Sequence, residues 1–109
     1  MKLIFKGSFR FPTEYILRRC GYGKQLNRTG EVSYARVMGI SGYPRFHAYV
    51  EEHADGFQVN LHLDQKKPSY GGHTAHSGEY EGTVVEAEGA RLQRAIRSMV
   101  DPLIHRQPE

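Results

Sequence analysis

Phe57, Val59, Leu61 and Leu63 alternate with Gln58, Asn60, His62 and Asp64, and no other stretch of the chain restricts the fold so tightly. A period of two sends four apolar side chains to one face and four polar ones to the other. That is the pattern of a strand in a half-buried sheet, whose apolar face needs a second layer and whose polar face looks outward. The outward set includes His62 and Asp64, two groups able to titrate or to bind a metal.

The preceding residues supply a partner strand. Arg45 to Glu51 alternates in the same way, and Asp55-Gly56 between two alternating segments is a strong hairpin signal, because a type I′ turn needs positive φ at both central residues. With Asp55-Gly56 as the turn, Ala54 opposes Phe57, Val50 faces Leu61 and Ala48 faces Leu63. The same register sets Tyr49 opposite His62, His47 opposite Asp64 and Glu51 opposite Asn60. A three-residue loop would set apolar against polar. Val32 to Met38 reads as a third strand beyond the loop Gly39 to Pro44. Pairing across that loop places Val37 opposite Phe46, Ala35 opposite Ala48, Arg36 opposite His47 and Tyr34 opposite Tyr49, although a one-residue bulge would exchange the faces. The expected outward face therefore shows Tyr34, Arg36, His47, Tyr49, Asn60, His62 and Asp64.

Elsewhere, Lys2 to Lys6 reads as a short strand. Thr13 reads as the N-cap of a helix with Glu14 in its first turn and Ile16, Leu17 and Cys20 on one face, and Gly21 stops that helix. Gly21 to Gly30 reads as a loop, without the spacing of a phosphate-binding loop. Gln65 to Gly82 is a long His/Gly/Tyr-bearing connection, of a length that is usually functional or disordered. Thr83 and Glu86 have capping-box spacing. Val85, Gly89, Leu92, Ile96, Met99 and Leu103 follow at helical intervals, with Arg91, Arg94 and Arg97 along another side and Asp101-Pro102 as the stop. Residues 104–109 read as a frayed tail. The expected architecture is one α+β domain over residues 1–109. It is a two-layer structure in which a small antiparallel sheet, three central strands plus an N-terminal edge strand, packs on two helices in the order β-α-β-β-β-α.

The bulk properties narrow the functional classes. No apolar run reaches the roughly 20 residues of a membrane helix, and the basic start lacks the apolar core of an export signal. Cys20 is the single cysteine, so no internal disulfide can form and a cytoplasmic setting is the expectation. Residues 1–50 hold nine Lys/Arg against two acids, and residues 51–109 hold six against ten. Such a split favours a polyanionic partner on the first half.

Three functions are consistent with these features. The first is a nucleic-acid or polyanion module, with RNA or DNA as partner, in which Tyr34, Arg36 and Tyr49 stack on bases and pair with phosphates while Lys24, Arg28, Lys66 and Lys67 add charge. The second is a site for a divalent metal such as zinc, or a metal-free acid/base site with hydrolytic chemistry, built from His62, Asp64, His73 and His76 with His47 in support. The third is a protein-interaction or homodimerisation domain without chemistry. Neither Gly-x-Ser-x-Gly nor a Cys/His signature occurs, so no nucleophile is indicated.

The helix, three strands, helix order from Thr13 to Val100 is similar to that of the double-stranded RNA-binding domain. The loop Gly39 to Pro44 lacks that family's Gly-Pro-x-His form, and no Lys-Lys-x-Ala-Lys run opens the last helix, so the resemblance implies element order and carries over no functional residues. The block His62-Leu-Asp-Gln-Lys-Lys-Pro-Ser-Tyr70 with Ala75-His-Ser-Gly-Glu-Tyr80 also looks like that of an uncharacterised group of small bacterial proteins, which implies no activity.

Overall fold

The structure, a computed structural model, describes residues 1–65 and 82–99 together with the backbone of 78–79. Its elements are β1 (Lys2–Lys6), α1 (Thr13–Arg19), β2 (Gly23–Leu26), β3 (Val32–Val37), β4 (Arg45–His53), β5 (Gly56–Asp64), β6 (Gly78–Glu79) and α2 (Thr83–Arg97). The protein is α+β, with the sheet order β1-β5-β4-β3-β2 and every pairing antiparallel. The two-residue β6 continues the edge occupied by β1, opposite Leu63 and Asp64. The sheet therefore has more strands than three plus an edge. The extra full strand, β2, is Gly-Lys-Gln-Leu; it has no apolar alternation and is mostly exposed, so only its backbone pairing to β3 defines it.

β5 is an interior strand, between β1 and β4, and its odd residues Phe57, Val59, Leu61 and Leu63 are all buried. They pack with Leu3 and Phe5 of β1, Phe46 and Ala48 of β4, Ile16 and Leu17 of α1, and Val85, Leu92 and Ile96 of α2 in one core. Fully burying a side chain of this kind contributes about 1.5–3 kcal/mol, so this layer contact holds the fold. Among the described residues no helix is long and apolar enough to cross a membrane.

The hairpin register differs from expectation by one pair. The turn residues are Ala54 and Asp55, His53 opposes Gly56, and Ala48 pairs with Leu61 and Val50 with Val59. Neither Ala54 nor Asp55 has positive φ, so the turn is not type I′; the positive φ belongs to Gly56, at +148°. Because both strands slip together by a whole pair, the faces are unchanged. The β3–β4 register is off by a single residue instead: Tyr34 opposes Ala48, Ala35 opposes His47 and Arg36 opposes Phe46. That slip does exchange the faces of β3.

The helix caps also differ. Pro12 rather than Thr13 is the N-cap of α1, and Thr13 Oγ1 instead donates to Glu52 Oε2 at 2.8 Å, tying the helix to β4. α2 starts from Gly82 with no side-chain cap, so Thr83 and Glu86 do not form a capping box. Gly21, at φ +97°, follows the C-cap of α1 as expected. The oppositely charged halves of the chain intermingle through Lys6–Asp55, Arg36–Glu88 and Arg45–Asp64. The tail 104–109 and most of the 65–82 connection lie outside the described residues.

One acid interrupts the apolar stripe of α2. Glu88 is buried and accepts hydrogen bonds from Tyr22 Oη at 2.6 Å, from Arg36 at 3.0 Å and twice from Arg91 at 2.8 Å. Arg91 also donates to the carbonyl of Cys20 at 2.7 Å, and the Cys20 thiol is itself buried. These bonds connect α2 to the loop after α1 and to β3.

Candidate metal centre

The even-numbered residues of β5 and the odd-numbered residues of β4 form the sheet face opposite the core. Antiparallel pairing puts His47 directly beside His62 and Arg45 directly beside Asp64. Asp64, two residues beyond His62 on the same face, therefore lies diagonal to His47, within reach of both imidazoles. Its Oδ1 is 3.1 Å from His62 Nε2, and its Oδ2 is 3.3 Å from His47 Nδ1 and 3.4 Å from Arg45 Nε.

The rings are held from several sides. His47 Nε2 lies 2.8 Å from Ser33 Oγ, a contact that the observed β3 register makes available by turning Ser33 and Ala35 toward this face. The His47 ring centroid is 5.0 Å from that of His62 and 4.8 Å from that of Tyr49, and Tyr49 stacks on His62 at 5.8 Å. A cleft of about 500 Å³ opens beside His62, lined by Met1, Lys2, Tyr49, Asn60, Leu61 and His62.

Only 11–15% of each of the three side chains His47, His62 and Asp64 is exposed. This burial pushes both histidine pKa values below the ordinary value, and the attraction of Asp64 only partly offsets it. Both rings are thus disposed to be neutral near pH 7, the form that binds metals. The sign of the linkage follows. The unfolded chain takes up protons near pH 6.5 that the folded protein resists, so the histidine contribution to stability is complete above about pH 6.5. It declines as the pH falls through the depressed folded values. For metal-free protein, the urea midpoint should fall between pH 7.5 and 5.5, and fall less in His62→Gln; a midpoint flat or rising over that interval would contradict this.

Of the five candidate metal ligands, His47, His62 and Asp64 converge, with one donor atom from each all within 4.8 Å of one another. His73 and His76 lie outside the described residues. The candidate nucleic-acid residues do not share a face. Tyr34 is buried on the helix side, Arg36 is bonded there to Glu88, and Lys24, on the same side, pairs with Glu14 at 3.3 Å. Arg28 is in the exposed turn before β3, Tyr49 remains beside the histidines, and Lys66 and Lys67 lie outside the described residues. Ser33 and Arg45 are the site neighbours that sequence reasoning missed. The alternation of β3 contains Ser33, but only the correct register points it at His47. No family model, curated protein or solved structure matches this chain.

Proposed function

We propose that the open face of the sheet binds a divalent transition metal, zinc by ligand type, through His47 Nδ1, His62 Nε2 and a carboxylate oxygen of Asp64. The supporting observation is the closeness of these three donors. Tetrahedral ligands bound at about 2.0–2.1 Å lie roughly 3.3–3.5 Å apart; here the histidine–carboxylate separations are 3.1 and 3.3 Å, one to each oxygen of Asp64, and a set of one donor per residue lies within 4.8 Å. Small rotations of the imidazoles would complete the triangle. Ser33 fits either state of His47: its hydroxyl donates to Nε2 in the metal-free tautomer and accepts from Nε2–H once Nδ1 is on the metal. Arg45 Nε donates to Oδ2, the carboxylate oxygen that also faces His47.

Among the described residues three donors would hold the metal, the protein-ligand count of catalytic zinc sites, and a cleft adjoins one of them, His62. A water bound to such a metal would be acidified toward neutral pH, which is the basis of metal-assisted hydrolysis. This reading is preferred over single-strand binding because Tyr34 and Arg36 point to the helices, away from Tyr49 and the histidine pair. Elemental analysis and zinc calorimetry test it. One metal per chain is expected, with affinity reduced about 100-fold or more in His47→Gln and in His62→Gln, each checked for a native melt; wild-type protein that binds no zinc, or variants that bind it unchanged, would remove the proposal.

A further inference from the structure

The other side of the molecule carries a second, unrelated cluster. A cleft of about 530 Å³ runs between α2 and β3, lined by Arg36, Met38, Phe46, Thr83, Val84, Ala87, Glu88, Arg91 and Arg94. Three guanidiniums face it with a single carboxylate, Glu88, among the lining residues. That carboxylate is saturated. A carboxylate offers about four acceptor sites, and Tyr22, Arg36 and Arg91 already fill four.

The guanidiniums are not saturated. Each has five N–H donors; Glu88 takes one from Arg36, and Glu88 with the Cys20 carbonyl takes three from Arg91. Arg94 is exposed at the same cleft. Among the described residues, three cations against one anion leave a surplus of two positive charges, with unused donors directed by a partly buried, pre-positioned pair. Much of the remaining wall is apolar, with Val84 and Met38 both more than half exposed. On α2, Val84 and Ala87 each precede an arginine of the cleft by seven residues, about 10 Å along the axis.

We infer that this cleft is a binding site for a small phosphate monoester with an apolar body. Its head, of charge about −1.5 to −2 at neutral pH, matches the surplus at Arg36, Arg91 and Arg94, and Arg forks suit its oxygens. Its body lies along Val84, Ala87 and Met38. The site does not depend on the metal centre.

The test is titration of the full chain with hexyl phosphate, followed by amide chemical shifts, with inorganic phosphate, hexanoate and a short single-stranded RNA as comparisons. Hexyl phosphate should bind at least about tenfold tighter than inorganic phosphate or hexanoate and shift residues of α2 and β3. Arg94→Ala should weaken it about fivefold or more. Val84→Asp, placed in a first helical turn where an acid is tolerated, should weaken it about tenfold or more. Either variant unchanged, no saturation at millimolar concentration, equal affinity for inorganic phosphate or hexanoate, or RNA binding tighter at the same residues would overturn the inference.

Discussion

Replacing Glu88 with leucine should destabilise the protein by about 3–5 kcal/mol, the range for removing one partner of a buried ion pair. The loss arises from what is left behind: Tyr22, Arg36 and Arg91 all donate to this carboxylate, and Tyr22 is almost wholly buried. Burial alone would raise the pKa of Glu88, but hydrogen bonds from Arg91 and Tyr22 and the charges of Arg91 and Arg36 outweigh it and hold the group below its ordinary value. A depressed folded pKa contributes stability that is complete above the unfolded value, near pH 4.5, and is lost as the pH falls through the folded one. Urea titration at pH 7 should show the full loss, and between pH 5 and 3 the variant should lack this part of the wild-type acid sensitivity. The exposed pair Glu14–Arg18 is the control; Glu14→Ala should change stability by well under about 1 kcal/mol. A Glu88→Leu midpoint equal to that of Glu14→Ala would show that the network does not hold α2 in place.

The second large effect is expected at Gly56, where alanine should cost at least about 2 kcal/mol. With φ at +148°, a side chain is strained there whatever the space. The space is also absent, since a Cβ would run into the Phe5 carbonyl oxygen and lie 2.9 Å from Lys6 Cα. These are backbone atoms of β1, which pairs with β5 through Lys6–Gly56 and Phe5–Phe57, so the edge strand would have to move. Gly89 provides the contrast. A Cβ there crowds only the end of the flexible Met1 side chain, with Sδ at 2.5 Å, and makes an ordinary contact with Leu3 Cδ2 at 3.5 Å. Alanine in mid-helix gains about 1 kcal/mol over glycine, so Gly89→Ala should stay within about 1 kcal/mol of wild type. Equal urea midpoints for the two alanine variants would contradict this account of the β1–β5 junction.

The parts of the fold that the sequence made legible are those decided by periodicity. The alternation in β5 and β4 identified the hairpin, its core face and the outward position of His47, His62 and Asp64, and the slip from Asp55-Gly56 to Ala54-Asp55 left that result intact because it moved both strands by a whole pair. The single-residue difference between β3 and β4 had a larger consequence. Nothing in the loop from Gly39 to Pro44 specifies register, and the slip took Tyr34 and Arg36 to the helix side while bringing Ser33 to His47. Strand β2 escaped notice because hydrogen bonds of its backbone, and not its side-chain pattern, make it a strand. Glu88 lies three residues after Val85 and four before Leu92, squarely on the apolar stripe. An acid at such a position signals a buried partner, but only the fold shows that the partners come from Tyr22 and Arg36.

Both candidate ligand sites follow from the way β3 is turned. One of its faces gives Ser33 to the histidine pair, and the other gives Arg36 to the arginine cleft. A single registration therefore separates the proposed cation site on the outward face from the proposed anion site in the inner cleft.

The most direct measurement of the metal proposal is a visible-absorption titration of the metal-free protein with cobalt(II), which reports coordination geometry as well as stoichiometry. The account predicts saturation at one cobalt per chain with the intense bands of a four-coordinate nitrogen and oxygen site, displaced by zinc and lost in Asp64→Asn. Weak six-coordinate bands resembling those of free cobalt, or an unchanged titration in Asp64→Asn, would contradict it.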